Sequence, residues 1–244
     1  FALRRAANGI LSLTVENGLR FGIWGWSTFL KENSNYPEAA GVHPRNLLHQ
    51  FLQDRLKVQQ REAGVRHDLI DAVRSDDDNV RLLARVHALQ SFMETEDGKN
   101  LLAGYKRAAN ILKKEDWHGM EGEIPHTGEE DPLAMVDDSD MKEVIAAKMA
   151  ERTAKSLSYT PEPAEKALMD ALDTAGPQAK TAVRDERFAD AMSALASLRA
   201  PIDDFFESVT VNDDDKAKRT ARLGLLARFR DAVHNVADFS KIEG

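Results

Sequence analysis

A short stretch between residues 101 and 114 carries the side chains of this chain that are best suited to bind a nucleic acid. An α-helix completes a turn every ~3.6 residues, and at that period the charged and amide side chains of the stretch fall on one face. Lysine and arginine bind phosphate groups, whereas an amide can read the edge of a base. The residues that share this face are Lys106, Arg107, Asn110, Lys113 and Lys114.

The opposite face of the same stretch is apolar, with Leu101, Tyr105, Ala108 and Leu112 at three- and four-residue spacing. This pattern predicts an amphipathic helix in which the ring of Tyr105 packs inward and its hydroxyl extends to the edge of the cationic face. The pattern is equally typical of an ordinary solvated helix with a tyrosine in the core. Periodicity alone therefore leaves both interpretations open.

Other kinds of chemistry find little support in the sequence. Gly98-Lys99 lacks the preceding glycine that a phosphate-binding loop needs, and no Gly-x-Ser-x-Gly nucleophile turn is present. The dipeptide His67-Asp68 is more typical of helix capping and surface pairing than of a metal site, because no further ligands follow at metal-binding spacing. Cysteine is absent. We therefore expect no catalytic residue, no metal site and no cofactor in this chain.

Two apolar stripes near the end of the sequence predict a closing helical hairpin. The first arm begins at Pro201, which is tolerated in the first turn of a helix. Its stripe is Ile202, Phe205, Phe206 and Val209, and the stripe of the second arm is Leu226, Phe229, Val233 and Val236. Arg222 lies in line with the second stripe, where a charge needs an acidic partner. We expect that partner on the opposing arm, among Asp203, Asp204 and Glu207.

Composition favours an all-α protein without a membrane span. No apolar run approaches the ~18 residues that a span requires, and the lack of cysteine is compatible with the cytoplasm. The net charge of −8 has the wrong sign for a simple nucleic-acid binder. Much of this excess negative charge comes from residues 115–140, which include ten acids and no Lys or Arg. We expect that stretch to be a flexible, acidic insertion.

Hydrophobic periodicity and breaker residues predict a succession of helices in two helical domains, a support domain over 1–97 and a second domain over 98–244. An aromatic helix is expected at Leu19–Lys31. The helical pattern is expected to be interrupted at Asp97-Gly98, and separate helices are expected before and after Ala175-Gly176. The other predicted helices are Phe1–Asn17, Pro44–Ala63, Val65–Val73, Val80–Glu96, Leu101–Lys114, Asp140–Ser156 and Arg187–Leu198.

Several dispersed motifs resemble the β subunit of bacterial, heterotetrameric glycyl-tRNA synthetase. The hairpin segments Arg199-Ala-Pro-Ile-Asp-Asp-Phe-Phe-Glu-Ser-Val and Arg219-Thr-Ala-Arg-Leu-Gly-Leu-Leu-Ala-Arg are similar to the closing part of its DALR-type anticodon-binding domain, which arginyl-tRNA synthetases share. Tyr105-Lys-Arg-Ala-Ala-Asn-Ile-Leu and Gly64-Val-Arg-His-Asp-Leu-Ile-Asp-Ala-Val also match the glycyl pattern. The arginyl helix places an Arg four residues after the Tyr, where this chain has Ala109.

The resemblance implies a C-terminal, non-catalytic part of a class II synthetase of the α/β type. It implies that 98–244 binds the anticodon arm of tRNA-Gly, with Tyr105 and Arg219 added to the cationic face as tRNA-binding residues. ATP and Mg would act at the α subunit, and the partners would be tRNA-Gly, the α subunit and the remaining β-subunit domains, with neither membrane nor DNA. The alternative is a helical module that docks the α subunit or other β domains and contacts RNA little; the negative charge favours it.

Overall fold

The computed structural model describes residues 2–20, 22, 44–73, 78–117 and 159–243. Its elements are α1 (Ala2–Glu16), α2 (Pro44–Glu62), α3 (His67–Ala72), α4 (Asn79–Glu94), α5 (Glu96–Lys114), α6 (Pro163–Arg184), α7 (Phe188–Ala196), α8 (Arg199–Ser208), α9 (Lys216–His234) and a 3₁₀ helix (Phe239–Lys241). In these ranges the only β-type pairing is a bridge between Gly22 and Asp78. The all-α prediction is confirmed.

Three predicted features fall mainly outside the described residues. The aromatic helix Leu19–Lys31 is described only at residues 19, 20 and 22, the acidic insertion only at 115–117, and the helix Asp140–Ser156 not at all. Across the described ranges, the structure contains no helix with the length and apolar character that a membrane span requires.

The chain forms two compact units. The first comprises 1–99, 179–193 and 234–244, and the second comprises 100–178 and 194–233. The boundary at 99/100 lies two residues from the predicted one at 97/98. The segments 179–193 and 234–244 belong to the first unit, and the contiguous domains 1–97 and 98–244 stay predictions.

In the first unit, α1 packs against α2 and α4, while α3 packs against α2, α4 and the 3₁₀ helix. Two buried or half-buried arginines connect the later segments to this core. Arg85 on α4 donates from Nε to the carbonyl oxygen of Val236 at 2.6 Å, and Arg81 donates from Nη2 to that of Val183 at 2.9 Å. These arginines thus bind backbone carbonyl oxygens near the C-terminal ends of α6 and α9.

In the second unit, the predicted apolar stripe of α8 is confirmed. Ile202 and Phe205 are fully buried, and Phe206 and Val209 are nearly so. The stripe of α9 is confirmed at Leu226, Phe229 and Val233, which are fully buried. Val236 is also fully buried, but it follows the end of α9 and belongs to the first unit. Helix α5 lies close to α8: a Cβ on Gly104 would be 3.4 Å from Cγ2 of Ile202.

The predicted break at Asp97-Gly98 is wrong, because Gly98 lies inside α5. The chain turns two residues earlier, at Thr95, whose extended backbone separates α4 from α5. Its hydroxyl Oγ1 accepts a hydrogen bond from the N–H of Gly98 at 3.0 Å and so caps α5. A Cβ on Gly98 would lie 2.1 Å from the carbonyl oxygen of Phe92. The glycine therefore permits a close approach to the preceding helix and does not end a helix.

The predicted separation of helices at Gly176-Pro177 is also wrong, because α6 continues through Pro177. Proline removes one backbone hydrogen bond, but the apolar spacing is the same before and after it. The buried positions on this face are Leu168, Leu172, Ala175, Ala179 and Ala182. Packing of this continuous face outweighs the local cost of the proline.

Candidate nucleic-acid interface

The cationic face predicted for residues 106–114 is present on α5. Arg107, Asn110, Lys113 and Lys114 are exposed, and Lys106 is half-buried. Within the described part of the chain, Asn110, Lys113 and Lys114 enter no ion pair or side-chain hydrogen bond. Lysines at the last turn of a helix are also favoured by the helix dipole. As far as the described residues extend, two ammonium groups and an amide are therefore available to a ligand.

Tyr105 lies on the inner side of α5 with 2% of its surface exposed. Its ring therefore packs in the core, as the apolar spacing predicts. A role for Tyr105 in tRNA binding stays a prediction.

Arg107 contacts α8 through an aromatic ring. Its Cζ atom lies 4.3 Å from the ring centroid of Phe206, which is a cation–π contact. Its Nη2 also donates a long hydrogen bond, 3.4 Å, to the backbone carbonyl oxygen of Phe206. The ring of Phe206 meets that of Phe205 edge-to-face, with centroids 5.8 Å apart. These contacts fix the guanidinium of an otherwise exposed side chain.

Arg219 on α9 forms an ion pair with Glu115, the residue that follows α5. The Arg219 side chain is 43% exposed and that of Glu115 is 12% exposed. The pair places Arg219 at the same end of α5 as Lys113 and Lys114. Its tRNA contact stays a prediction, and part of its hydrogen-bonding capacity is already used by Glu115.

Trp117 lies near α9 at the start of the acidic stretch. Its Cζ2 atom is 3.9 Å from the position that a Cβ on Gly224 would take, and the backbone N–H of Trp117 donates to the carbonyl oxygen of Leu112 at 3.0 Å. The small residue at 224 leaves room for the indole. The chain is thus held against the second unit as far as Trp117.

Arg222 is buried, with 1% of its side chain exposed, and the sequence predicts both this burial and the need for an acidic partner. The predicted partners are wrong. Nε donates to Glu165 at 2.7 Å, Nη2 to Glu162 at 2.6 Å and Nη1 to Asp213 at 2.8 Å. Nη1 also donates to the carbonyl oxygen of Thr210 at 2.8 Å. The guanidinium therefore joins α9 to the start of α6 and to the loop between α8 and α9.

The acids expected to pair with Arg222 lie on the wrong side of α8. Asp203 is 3.3 Å from Arg199 on its own helix, and Asp204 and Glu207 are exposed. At ~3.6 residues per turn, Asp204 and Glu207 fall opposite the stripe formed by Ile202, Phe205, Phe206 and Val209, and Asp203 falls at its side. Since that stripe faces the core, the acids cannot meet a buried arginine.

Glu165 is the residue that the sequence reasoning missed. It is fully buried, and its carboxylate accepts hydrogen bonds from Arg222, from the hydroxyl of Tyr159 at 2.8 Å and from the N–H of Glu162 at 2.6 Å. Burial, together with the hydrogen bond to Glu165, raises the pKa of the Tyr159 hydroxyl. Glu165 is the third residue of α6, and its carboxylate accepts a hydrogen bond from the N–H of Glu162, the residue before the helix. This bond is one of the two that form a capping box, and the spacing in Glu162-Pro-Ala-Glu165 indicates it in the sequence.

Among the described residues, no group of three or more His, Asp or Glu side chains is arranged to hold a metal ion. Asp68 of the His67-Asp68 dipeptide is buried and accepts hydrogen bonds from Arg66 and from the N–H of Glu243 at 2.9 Å. Burial acts to raise the pKa of this carboxyl, but the hydrogen bonds from Arg66 and from the N–H of Glu243, with the charge of Arg66, together outweigh burial and lower it. Its partners are thus a neighbouring arginine and the end of the chain.

Two family models match the chain. The model described as glycyl-tRNA synthetase beta subunit matches residues 1–75, and the model described as DALR anticodon binding domain matches residues 139–243. Helix α5 precedes the second match, but its contacts through Gly104 and Arg107 are with α8, which lies within it. The cationic face therefore belongs structurally with the matched helices.

Several relatives of the chain are glycine–tRNA ligase beta subunits. It is 42% identical over 247 residues to the glycine–tRNA ligase beta subunit of Rhodospirillum centenum and 42% identical over 248 residues to that of Paracoccus denitrificans. Identity to the same subunit of a Ruegeria species is 39%. All of the chain is covered in each comparison, and it spans 30%, 31% and 31% of the length of these three relatives.

Proposed function

Because the chain belongs to the glycyl-tRNA synthetase β-subunit family and contains its DALR anticodon-binding domain, we propose that its second unit binds the anticodon arm of tRNA-Gly. The observation that carries this proposal is the outward face of α5, where Arg107, Asn110, Lys113 and Lys114 are exposed together. Cations on such a face can contact phosphates, and the amide and guanidinium can contact unpaired bases.

The mechanism that we propose is binding without chemistry in this chain. Phosphate contacts set the orientation of the tRNA, and the polar groups on α5 discriminate among loop bases. In the whole enzyme, glycine activation with ATP and Mg would take place on the α subunit, in the cytoplasm. The present chain would hold the tRNA so that its 3′ end reaches that subunit.

A direct titration tests the proposal. Fluorescently labelled tRNA-Gly is titrated with the 244-residue chain, and anisotropy is measured at low and moderate salt. We expect saturable binding that weakens as salt rises, because cations displace counterions from phosphates, and weaker binding of a tRNA with a different anticodon. Equal affinity for both tRNAs, or no saturation at low salt, would contradict it.

A docking module is the second candidate, and two observations favour it. The net charge is −8, and α1 exposes large apolar side chains, with Leu3 at 68%, Leu13 at 62% and Ile10 at 48%. Exposed apolar patches often mark protein interfaces. Under this alternative, the chain would form a complex with the α subunit or with the remaining part of the β subunit and would leave tRNA-Gly unbound in the same titration.

A further inference from the structure

We propose that the outer face of the Arg107 guanidinium is a stacking platform for one unpaired nucleobase of the bound RNA. This inference rests on the proposed function and adds to it a specific subsite, with Phe206 as the residue that positions the platform. It concerns contacts inside the second unit only.

The platform is held from below by an aromatic ring. The Cζ of Arg107 lies 4.3 Å from the ring centroid of Phe206, a distance at which a guanidinium lies over a ring face. Phe206 is only 9% exposed, and Phe205, which meets it edge-to-face, is fully buried. Because the ring is fixed in the core, the guanidinium on it is fixed as well.

Among the described residues, Arg107 has no hydrogen bond, ion pair or ring contact other than those with Phe206. Arg107 is exposed although its Cζ lies over the ring of Phe206, and the bond to the Phe206 carbonyl further restricts the rotation of the group. A planar guanidinium can stack on π systems, and unpaired bases in RNA loops are commonly bound on aromatic rings or arginine planes. A base placed on Arg107 would complete a ring–guanidinium–base stack.

The neighbouring side chains suit the rest of a nucleotide. Asn110 and Lys114 follow Arg107 at three and seven residues, so the three side chains form one row along α5. At 1.5 Å per residue, they lie roughly 4.5 and 10.5 Å further along the helix axis. The amide of Asn110 offers both a donor and an acceptor to a base edge, and the ammonium of Lys114 offers a charge to a phosphate.

The test uses tRNA-Gly in which each anticodon position in turn carries 2-aminopurine, whose fluorescence falls when it stacks. We expect the full chain to quench one position on binding. Arg107→Lys keeps the charge but removes the planar group, so it should abolish the quenching and weaken binding about tenfold, the size of one stacking contact. Phe206→Leu, checked for an unchanged helical circular dichroism spectrum, should reduce the quenching although Arg107 is still present.

Lys113→Ala is the matched control, because it removes a cation from the same helix and leaves the platform intact. It should weaken binding while the quenching at saturation stays unchanged. Quenching that persists in Arg107→Lys, or tRNA that binds with no position quenched, would overturn the platform and leave the proposed function standing. If the parent chain does not bind tRNA-Gly at all, the proposed function and the platform both fail.

Discussion

Arg222 and Arg107 are the same side chain in one unit, and their surroundings differ in a way that separates structure from binding. Arg222 is buried and donates four hydrogen bonds, three of them to carboxylates. Arg107 is exposed, covers one aromatic ring and donates one long hydrogen bond. A buried arginine with four of its five N–H donors engaged by the protein stabilises the fold, whereas an exposed arginine with few protein partners can contact a ligand.

The largest expected effect is at the buried arginine. Arg222→Ala leaves the fully buried Glu165 without its cation, so we expect the free energy of unfolding to fall by about 3 kcal/mol or more. Urea denaturation followed by circular dichroism measures it. Arg219→Ala is the control: its pair with Glu115 is partly exposed, and we expect a loss below about 1 kcal/mol. Similar losses of unfolding free energy in the two variants would contradict the claim that the buried arginine stabilises the fold more than the exposed one.

An intermediate effect is expected when only the charge of the partner is removed. Glu165→Gln keeps the shape of the side chain but weakens the bond from Arg222, so the free energy of unfolding should fall by roughly 1–3 kcal/mol. Glu207→Gln removes a charge from the exposed side of α8 and should change it by less than about 0.5 kcal/mol. A larger loss of unfolding free energy in Glu207→Gln than in Glu165→Gln would contradict the assignment of Glu165 as a partner of Arg222.

A fall in pH tests the contacts of Arg222 without a mutation, through the protonation of Asp213. The N–H of Asp215, and with it the guanidinium of Arg222, lowers the pKa of Asp213. A carboxylate with a lowered folded pKa stabilises the fold above its unfolded value, about 3.9, and this contribution is lost as the pH falls through the folded pKa. Stability from this group should therefore be constant between about pH 7 and pH 5 and decline below about pH 4.

Asp213→Asn should flatten part of that decline in urea denaturation curves recorded from neutral to acidic pH. Asp214→Asn, at the exposed neighbouring position, is the control and should leave the decline as it is in the parent chain. Identical acid profiles for the parent and Asp213→Asn would show that the bond to Arg222 contributes nothing there.

The smallest effect on stability is expected on the cationic face. Replacing Lys113 and Lys114 together by Ala removes exposed groups that have no ion pair among the described residues, so the free energy of unfolding should change by less than about 0.5 kcal/mol. Binding of tRNA-Gly should weaken, and the log–log salt slope should fall by about 0.7 for each single-strand phosphate that the variant no longer neutralises. Lys166→Ala with Lys241→Ala removes the same charge from exposed positions on other elements and should leave the slope unchanged.

Local periodicity was sufficient to predict much of the fold. The stripes of α8 and α9, the inward ring of Tyr105 and the burial of Arg222 all follow from spacing within one helix. The partner of Arg222 could not be found that way, since Glu165 lies 57 residues away in sequence. Position on the helix would have excluded Asp204 and Glu207, because they lie opposite the apolar stripe of α8, and would have placed Asp203 at the side of that stripe.

Helix-breaking residues gave wrong helix boundaries where tertiary packing outweighs local helix propensity. Gly98 and Pro177 both have low helix propensity, yet each lies inside a helix. Gly98 is required by its approach to Phe92, and Pro177 is tolerated because the buried face of α6 continues beyond it. The contact between Arg107 and Phe206 likewise joins residues 99 apart, so only the three-dimensional structure reveals it.

The central claim is that the outward face of α5 contacts the anticodon loop, and photocrosslinking tests it most directly. tRNA-Gly with 4-thiouridine in the anticodon loop is bound to the full chain, irradiated and digested, and the crosslinked residues are identified by mass spectrometry. We predict crosslinks on α5 between Lys106 and Lys114, and their loss on competition with unlabelled tRNA-Gly. Crosslinks confined to α1–α4 of the first unit, with none on α5, would contradict the account.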